Sequence, residues 1–172
     1  MEDLKALDTI KTDFEEDVFT SKTGVKLKIN KVNRLIVLDA VRKIRDPKIP
    51  MVYIETKNRS EENPNDPDYL QAKQEADLDR GMTTINVYLA FGTKPTFIPE
   101  NKEGPEGQTW SVDYNEVGLD IPQGGRGRYV AWLKYYALLE EEVNDLSLMA
   151  MRYSGATLEE DVAKSTTNFQ SN

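Results

Sequence analysis

Apolar residues recur every three and four positions over residues 127–155, a spacing that predicts two successive helices with a joint near residues 139–142. Each helix has one apolar stripe, which we expect to be buried. The apolar positions are Tyr129, Trp132, Leu133, Tyr136 and Ala137 in the first helix and Val143, Leu146, Met149, Ala150 and Tyr153 in the second. Arg128, Lys134 and the acidic run at 140–142 fall mostly on the other side, where we expect solvent.

Both ends of the second helix carry local signals. Asn144 or Asp145 is predicted to cap its start, because a short polar side chain accepts hydrogen bonds from the free N–H groups of a first turn. Gly155 is predicted to end the helix in a left-handed conformation. A capping box then predicts one more helix over residues 157–168.

The period of the apolar pattern changes to two near the start of the chain. Apolar and basic residues alternate over residues 25–29, after a turn-like segment at 21–24. This pattern predicts a β-hairpin in which Val18–Thr20 is the first strand. The lysines of the region are expected to form a solvated face rather than an anion-binding patch. They are Lys22, Lys26, Lys28 and Lys31.

Short elements and polar segments alternate through the middle of the chain. A short helix is predicted over residues 33–46. Met51–Ile54 is predicted to be extended, either as a strand or as a segment that lies across the core. Residues 55–66 and 93–109 have the composition of polar loops, and a further short helix is predicted over residues 110–117.

A long helix is predicted between the two loops, over Pro67–Gly92. Asp66 precedes it as a cap, and Pro67 occupies the first position, where no N–H group is needed. Its apolar stripe is Leu78, Met82, Ile85 and Leu89. Strand-favouring residues make a break near residue 83 the alternative, but the three- and four-residue spacing favours a continuous helix.

These elements together predict an α+β fold that is mainly helical, with an N-terminal hairpin followed by about five helices. At 172 residues the chain suits one domain with a core, which we place at residues 18–170. Residues 1–17 are rich in Asp and Glu and are predicted to form a flexible acidic arm.

The composition excludes several kinds of chemistry. The chain has no cysteine and no histidine, so it offers no Cys nucleophile, no His general base and no ordinary zinc site. Its 30 acidic and 22 basic residues give a net charge of −8, which argues against nucleic acid and anionic membranes as partners. No apolar run approaches the roughly 20 residues of a membrane-spanning helix. We predict a cytoplasmic protein that is not an enzyme.

Two polar clusters have the residue types of a binding site. Oxygen-bearing side chains alternate over residues 63–68 as in a calcium loop, but the glycine and the distal glutamate of such a loop are missing, and helix capping explains them. The glycine-rich segment 124–127 lacks the ending of a phosphate-binding loop, so we interpret it as a hinge, beside which Arg126 and Arg128 can meet a partner's carboxylate. No catalytic residue, cofactor site or metal ligand is predicted. The first cluster consists of Asn63, Asn65, Asp66 and Asp68.

Short motifs follow one another along the chain in a fixed order. They are GVKLKINKV at residues 24–32, PKIPMVY at 47–53, NPNDPDYL at 63–70, LAFGT at 89–93, RYVAWLKY at 128–135 and a final Phe169. In this order they resemble tail assembly chaperones, which are morphogenesis proteins of long-tailed bacteriophages. The resemblance implies a protein that coats the long, apolar, helical tape measure protein until tail-tube subunits polymerise around it. It brings no catalytic residue.

The aromatic and methionine-rich helices supply the candidate contact residues for such a partner. Methionine adapts to varied surfaces, and aromatic rings add large contact areas at little entropic cost. The candidates are Tyr129, Trp132, Tyr136, Met149 and Met151. The predicted partners are the tape measure protein and other tail proteins in the host cytoplasm, with homo-oligomer formation left open.

Two other functions compete with this one. The main alternative is a virion structural subunit of the neck, connector or baseplate, in which the acidic arm and the loop at 55–66 dock on neighbours. A more distant one is an acidic decoy that inhibits a host nucleic-acid-binding protein. A decoy needs carboxylates spaced like phosphates on one face, and the sequence has only scattered acidic clusters.

Overall fold

Residues 17–156, the part of the chain that the computed structural model describes, form five α-helices and two antiparallel sheets. The strands are β1 (Val18–Thr20), β2 (Lys26–Ile29), β3 (Met51–Ile54), β4 (Arg59–Glu62) and β5 (Thr93–Phe97). The helices are α1 (Arg34–Val41), α2 (Pro67–Gly92), α3 (Thr109–Glu116), α4 (Gly125–Trp132) and α5 (Glu140–Tyr153). The predicted α+β fold, mainly helical with an N-terminal hairpin, is confirmed. The predicted helix over 157–168 and residues 1–16 of the arm lie outside the described residues.

The β1–β2 hairpin has the predicted alternation of buried and exposed residues. Val25, Leu27 and Ile29 are buried, and Lys26 and Lys28 are exposed, because successive side chains of a strand lie on opposite faces. The predicted solvated lysine face is confirmed. The apolar face of β2 supplies one wall of the core.

The expectation of a loop over residues 93–109 is wrong at its start, where β5 lies. β5 pairs antiparallel with β2, so the sheet order is β1-β2-β5. Proline is tolerated in β5 because this is an edge strand, in which one side needs no ladder bonds. Pro95 lies opposite Leu27. Composition indicates a loop, but pairing with a strand some 65 residues earlier decides the structure.

The core lies where α2, α4 and α5 pack beside the three-stranded sheet. Its completely buried side chains include Leu27, Leu89, Trp132, Leu133 and Leu146. Gly92, at the end of α2, permits the closest approach between elements: a Cβ atom there would lie 2.9 Å from Val32 Cγ2 and 3.1 Å from Ala150 Cβ. A larger residue would therefore push α2 away from α5.

The predicted joint between the two C-terminal helices is confirmed, with its break at Leu138 and Leu139. After α4 the chain makes a π-helical turn over Leu133–Ala137. Leu138 and Leu139 are then extended, and α5 begins after them. Gly155 ends α5 in the predicted left-handed conformation, with φ +76. The chain therefore turns between two packed helices, and of the second apolar stripe Val143, Leu146 and Ala150 are buried whereas Tyr153, at its end, is exposed.

Glu142 caps the start of α5, so the prediction of Asn144 or Asp145 as the cap is wrong. The Glu142 carboxylate accepts hydrogen bonds from the backbone N–H groups of Leu139 (3.0 Å) and Lys22 (2.5 Å). The expectation that Glu142 faces solvent is also wrong, since it is 4% exposed. One carboxylate satisfies free N–H groups of a helix and of the β1–β2 turn, and it lies at the positive end of the helix dipole.

The segment 55–66, predicted to be a polar loop, contains β4, which pairs with β3 in a second hairpin. That part of the prediction is wrong, and Met51–Ile54 is a strand. The two strands are joined by a 3₁₀ turn over Glu55–Lys57 and by Asn58, whose left-handed φ of 51 an asparagine tolerates. The Tyr53 hydroxyl bonds to the Asn58 side chain and fixes this turn.

α2 begins and ends as the sequence predicts. The Asp66 side chain accepts from the N–H groups of Asp68 (3.1 Å) and Tyr69 (3.2 Å), and Pro67 opens the first turn. The helix runs without a break for 26 residues, so the alternative of a strand near residue 83 is wrong. Capping is confirmed as the role of Asp66.

Candidate functional site

Most of the predicted contact residues lie in the core or against it. Trp132 is 0% exposed, its indole N–H donates to the backbone oxygen of Glu103 (2.9 Å), and its ring stacks on that of Tyr129. Met149 and Met151 are half-buried and pack against the same core. A partner therefore cannot reach Trp132 while this core is intact.

Tyr129 and Tyr136 are half-buried, and each hydroxyl already has a partner. The Tyr129 hydroxyl lies 2.8 Å from Thr93 Oγ1, and burial raises the pKa of this phenol to about 12. The Tyr136 hydroxyl accepts from the N–H group of Glu103 (3.2 Å), and the Lys102 ammonium lies 4.7 Å from its ring centre. These tyrosines fasten α4 and the π-helical turn to β5 and to the loop after it.

The prediction that Arg128 faces solvent is wrong. Its side chain is 1% exposed and donates to the backbone oxygens of Pro105 (2.8 Å), Gly107 and Pro122 (3.2 Å), and to Ser111 Oγ (3.1 Å). The guanidinium has five donors in a planar fork, so it can satisfy several loop carbonyls at once. Arg128 is thus a buried clamp on the 105–122 segment and is not available to a partner's carboxylate.

Arg126, the other arginine of this segment, stays exposed. Its guanidinium lies 4.2 Å from the ring centre of Phe91 and donates to the backbone oxygen of Ala90. The glycine-rich segment before it leads directly into α4, which starts at Gly125 with φ +67.

An open apolar groove lies on the first half of α2, along part of the apolar stripe that the sequence predicts. Leu70 is 49%, Leu78 62% and Met82 48% exposed, and together with Ile85 they line an open groove of about 560 Å³. We call these four residues the α2 apolar face. Lys73 and Asp77 lie at its polar rim. Exposed apolar groups of this size, rimmed by polar ones, mark interaction surfaces.

The neighbouring elements also expose large apolar side chains. On α1, Leu35 is 63% exposed, and on β3, Met51 and Tyr53 are 61% and 57% exposed. α1 packs along α2, and Arg80 of α2 joins them by donating to the Ile44 backbone oxygen (3.2 Å). Large apolar side chains are therefore exposed on α1, β3 and α2, and others are exposed after residue 83, among them Val117 (76%) and Phe97 (52%).

Sequence periodicity shows which residues share a helix face, but it does not show whether another element covers that face. One feature of the sequence could have indicated an uncovered face. The first half of α2 has two apolar sets: the small Ala76, which is buried, and the larger Leu78 and Met82, which are not. A helix with apolar residues on two sides needs two neighbours. The structure supplies α1 as one of them.

A metal site and a membrane-spanning helix are not found in residues 17–156. No group of three acidic side chains there is placed to hold a metal ion, and none of its helices combines the length and apolarity needed to cross a membrane. No family model, curated protein or solved structure matches this chain. The physical character of the α2 apolar face is therefore the basis for a function.

Proposed function

We propose that this protein is a non-enzymatic chaperone of phage tail assembly, which binds helical segments of the tape measure protein in the host cytoplasm. The observation that carries the proposal is the α2 apolar face, an uncovered row of flexible apolar side chains on a rigid, capped helix. The ordered motifs of the sequence supply the identity of the partner. Binding by this face needs no catalytic group.

The groove fits one amphipathic helix. From Leu70 to Ile85 the α2 apolar face extends over about 22 Å, or about four helical turns. A helix in a groove contributes apolar residues at three- and four-residue spacing, and methionine and leucine adapt to different partner sequences. Reversible binding of many segments of one long protein requires this tolerance rather than a single tight fit.

Charge adds a preference among apolar helices. The first half of α2 carries Asp68, Glu75, Asp77 and Asp79 against Lys73 and Arg80, and Arg80 is occupied by Asp46 and Asp77. The net negative charge of the first half of α2 favours segments with basic residues beside their apolar stripe and speeds their encounter at low salt. We therefore expect binding to weaken as the salt concentration rises.

The test is co-expression with the tape measure protein of the same phage, followed by size-exclusion chromatography with mass determination. Leu78→Glu and Met82→Glu should release the tape measure protein while the fold is kept. Val117→Glu is the matched control, because Val117 is 76% exposed and lies outside the α2 apolar face. Co-elution that survives both α2 substitutions, or a wild-type chain that never holds the tape measure protein, would refute the proposal.

A virion structural subunit is the second candidate, and the β3–β4 hairpin favours it. Nearly every residue of this hairpin is exposed, as in an arm that docks on a neighbouring subunit. Mass spectrometry of purified particles separates the two candidates. A stoichiometric amount of this chain in particles supports the subunit, whereas presence in infected lysate with absence from particles supports the chaperone.

A further inference from the structure

The β3–β4 hairpin is a two-stranded sheet with both faces in solvent. In the described chain its close packing is mainly between its own two strands, and its residues are exposed apart from Ile54 and Glu61, which are partly buried. A two-stranded hairpin alone is marginally stable in water, and further strands or a packed face stabilise it. This hairpin has neither within residues 17–156, so its surroundings are incomplete.

The two edges of the hairpin differ in charge. β4 contains Arg59, Glu61 and Glu62, and Glu61 is paired with Arg59 (2.5 Å) and with Lys57 of the turn (3.1 Å). Charged residues on an edge strand discourage the addition of another strand. β3 has no charged residue and exposes Met51, Val52 and Tyr53. Of the two edges of the hairpin, only that of β4 is therefore protected by charge against the addition of another strand.

Neither outer strand of the three-stranded sheet, β1 or β5, has the uncharged, exposed apolar edge of β3. β5 contains Lys94 and Pro95, and β1 has three residues, of which Val18 and Phe19 are partly buried. Among the strand edges of the described chain, β3 therefore combines the greatest apolar exposure with the absence of charge.

The backbone of β3 is oriented for pairing on its open side. The Pro50 backbone oxygen accepts from the N–H group of Asn63 (2.8 Å), so the backbone groups of Pro50 point towards β4. Successive residues of a strand point their N–H and C=O groups to opposite sides. Those of Met51 and Tyr53 consequently point away from β4, and the missing N–H group of Pro50 does not interrupt the open edge.

We propose that the open edge of β3 pairs antiparallel with β3 of a second copy of this chain, with a two-fold axis at Val52. In this register Met51 lies opposite Tyr53 of the second copy, and the outward backbone groups of both residues are satisfied. A methionine sulfur then lies beside an aromatic ring, a favourable contact. The two hairpins become one four-stranded sheet, β4-β3-β3-β4, whose outer strands are the charged ones.

The charges that flank β3 favour a second copy of this chain as the pairing partner. Lys48 precedes the strand and Glu55 follows it. An antiparallel pair brings Glu55 of each copy to the end of the strand at which Lys48 of the other copy lies, whereas a parallel pair would bring like charges together. The central residues are uncharged in both copies, so pairing buries no unpaired charge. Because the hairpin lies outside the α2 apolar face, the inference is independent of the proposed function.

Mass measurement on the full chain over a range of concentrations tests the pairing. The wild type should have the mass of a dimer. Val52→Lys and Val52→Glu should each be monomeric where the wild type is dimeric, because two like charges then meet at the axis. An equimolar mixture of the two variants should form a heterodimer, since lysine then faces glutamate.

Ser60→Lys is the matched control, because Ser60 lies opposite Tyr53 on β4 and places the same charge on the other strand of the hairpin. This variant should remain dimeric. At a concentration at which every sample is monomeric, thermal unfolding by circular dichroism should be the same for the wild type and the three variants, since Val52 is outside the core. A wild type that stays monomeric, single variants that stay dimeric, or a mixture that fails to pair would each overturn the proposal.

Discussion

The two halves of α2 differ in how the rest of the protein covers them. In the inner half, residues 83–92, Val87, Leu89 and Gly92 are buried among α4, α5 and the three-stranded sheet. In the outer half, residues 67–82, Ala76 alone is buried, and α1 packs alongside while Leu70, Leu78 and Met82 of the α2 apolar face are open. One continuous helix thus passes from the core to an uncovered surface.

The outer half is held by local interactions in place of burial. Asp66 caps the first turn, Gln71 Nε2 donates to Glu75 Oε1 (2.9 Å) one turn later, and Arg80 bonds to Asp77 (2.7 Å). Such interactions keep the helix formed without covering its apolar side chains. Stability and binding are consequently assigned to different halves, and substitutions should separate the two.

The largest expected effect is that of Trp132→Ala in the core. Truncating this completely buried ring leaves a cavity and removes the hydrogen bond to Glu103, at a cost of about 4–5 kcal/mol in the free energy of unfolding. Urea unfolding of the full chain measures it, with Trp132→Phe as a control that keeps a ring and should cost less. A loss below about 1 kcal/mol would contradict a core role for Trp132.

Arg128→Met should have the next largest effect. The substitution keeps an apolar chain of similar length but leaves the backbone oxygens of Pro105, Gly107 and Pro122 without this donor, so we expect a loss of about 3 kcal/mol. Arg128→Lys restores the charge without the planar fork and should recover part of the loss. An Arg128→Met variant as stable as the wild type would show that the clamp contributes nothing.

These two residues show how far sequence reasoning reached in the C-terminal region. The helical spacing placed Trp132 in the core, because a stripe of large apolar groups leaves few other arrangements. The same spacing wrongly placed Arg128 in solvent. Helical spacing contains no information about the backbone carbonyls of the 105–122 segment, which need a hydrogen-bond donor. The prediction that Glu142 faces solvent failed for a related reason, because one of its two hydrogen-bond partners is the N–H group of Lys22, far away in sequence.

Local and long-range signals differ in the same way elsewhere. The Asp66 cap and the first hairpin depend on neighbouring residues, and both were predictable. β5 and β4 depend on partners that composition does not reveal, so their segments resembled loops. The exposure of the candidate site was not predictable, because Leu78 and Met82 share the periodicity of buried residues, whereas exposure depends on which faces the other helices cover.

A rise in pH should lower the free energy of unfolding, because Tyr129 is largely buried. Burial raises the pKa of Tyr129 from 10.0 to about 12, so the unfolded chain loses this proton near pH 10 and the folded protein holds it. Stability is therefore complete below the unfolded value and falls as the pH rises through the folded one, by roughly 2–3 kcal/mol. Urea unfolding between about pH 9 and about pH 11 measures the first part of this fall, about 1.4 kcal/mol, and Tyr129→Phe should show a shallower one. Equal slopes in the two proteins would contradict this assignment.

The smallest effect on stability is expected in the outer half of α2, and it is the sharpest test of the comparison. Leu78→Ala and Leu89→Ala are the same chemical change in the same helix, at 62% and 0% exposure. Leu89→Ala opens a core cavity and should cost about 3 kcal/mol, whereas Leu78→Ala should change the free energy of unfolding by less than about 0.5 kcal/mol. Binding should respond in the opposite order, since only Leu78 lies on the α2 apolar face. If Leu78→Ala destabilised the chain as much as Leu89→Ala, the outer half would be covered in solution, and this surface would belong to the fold rather than to a partner.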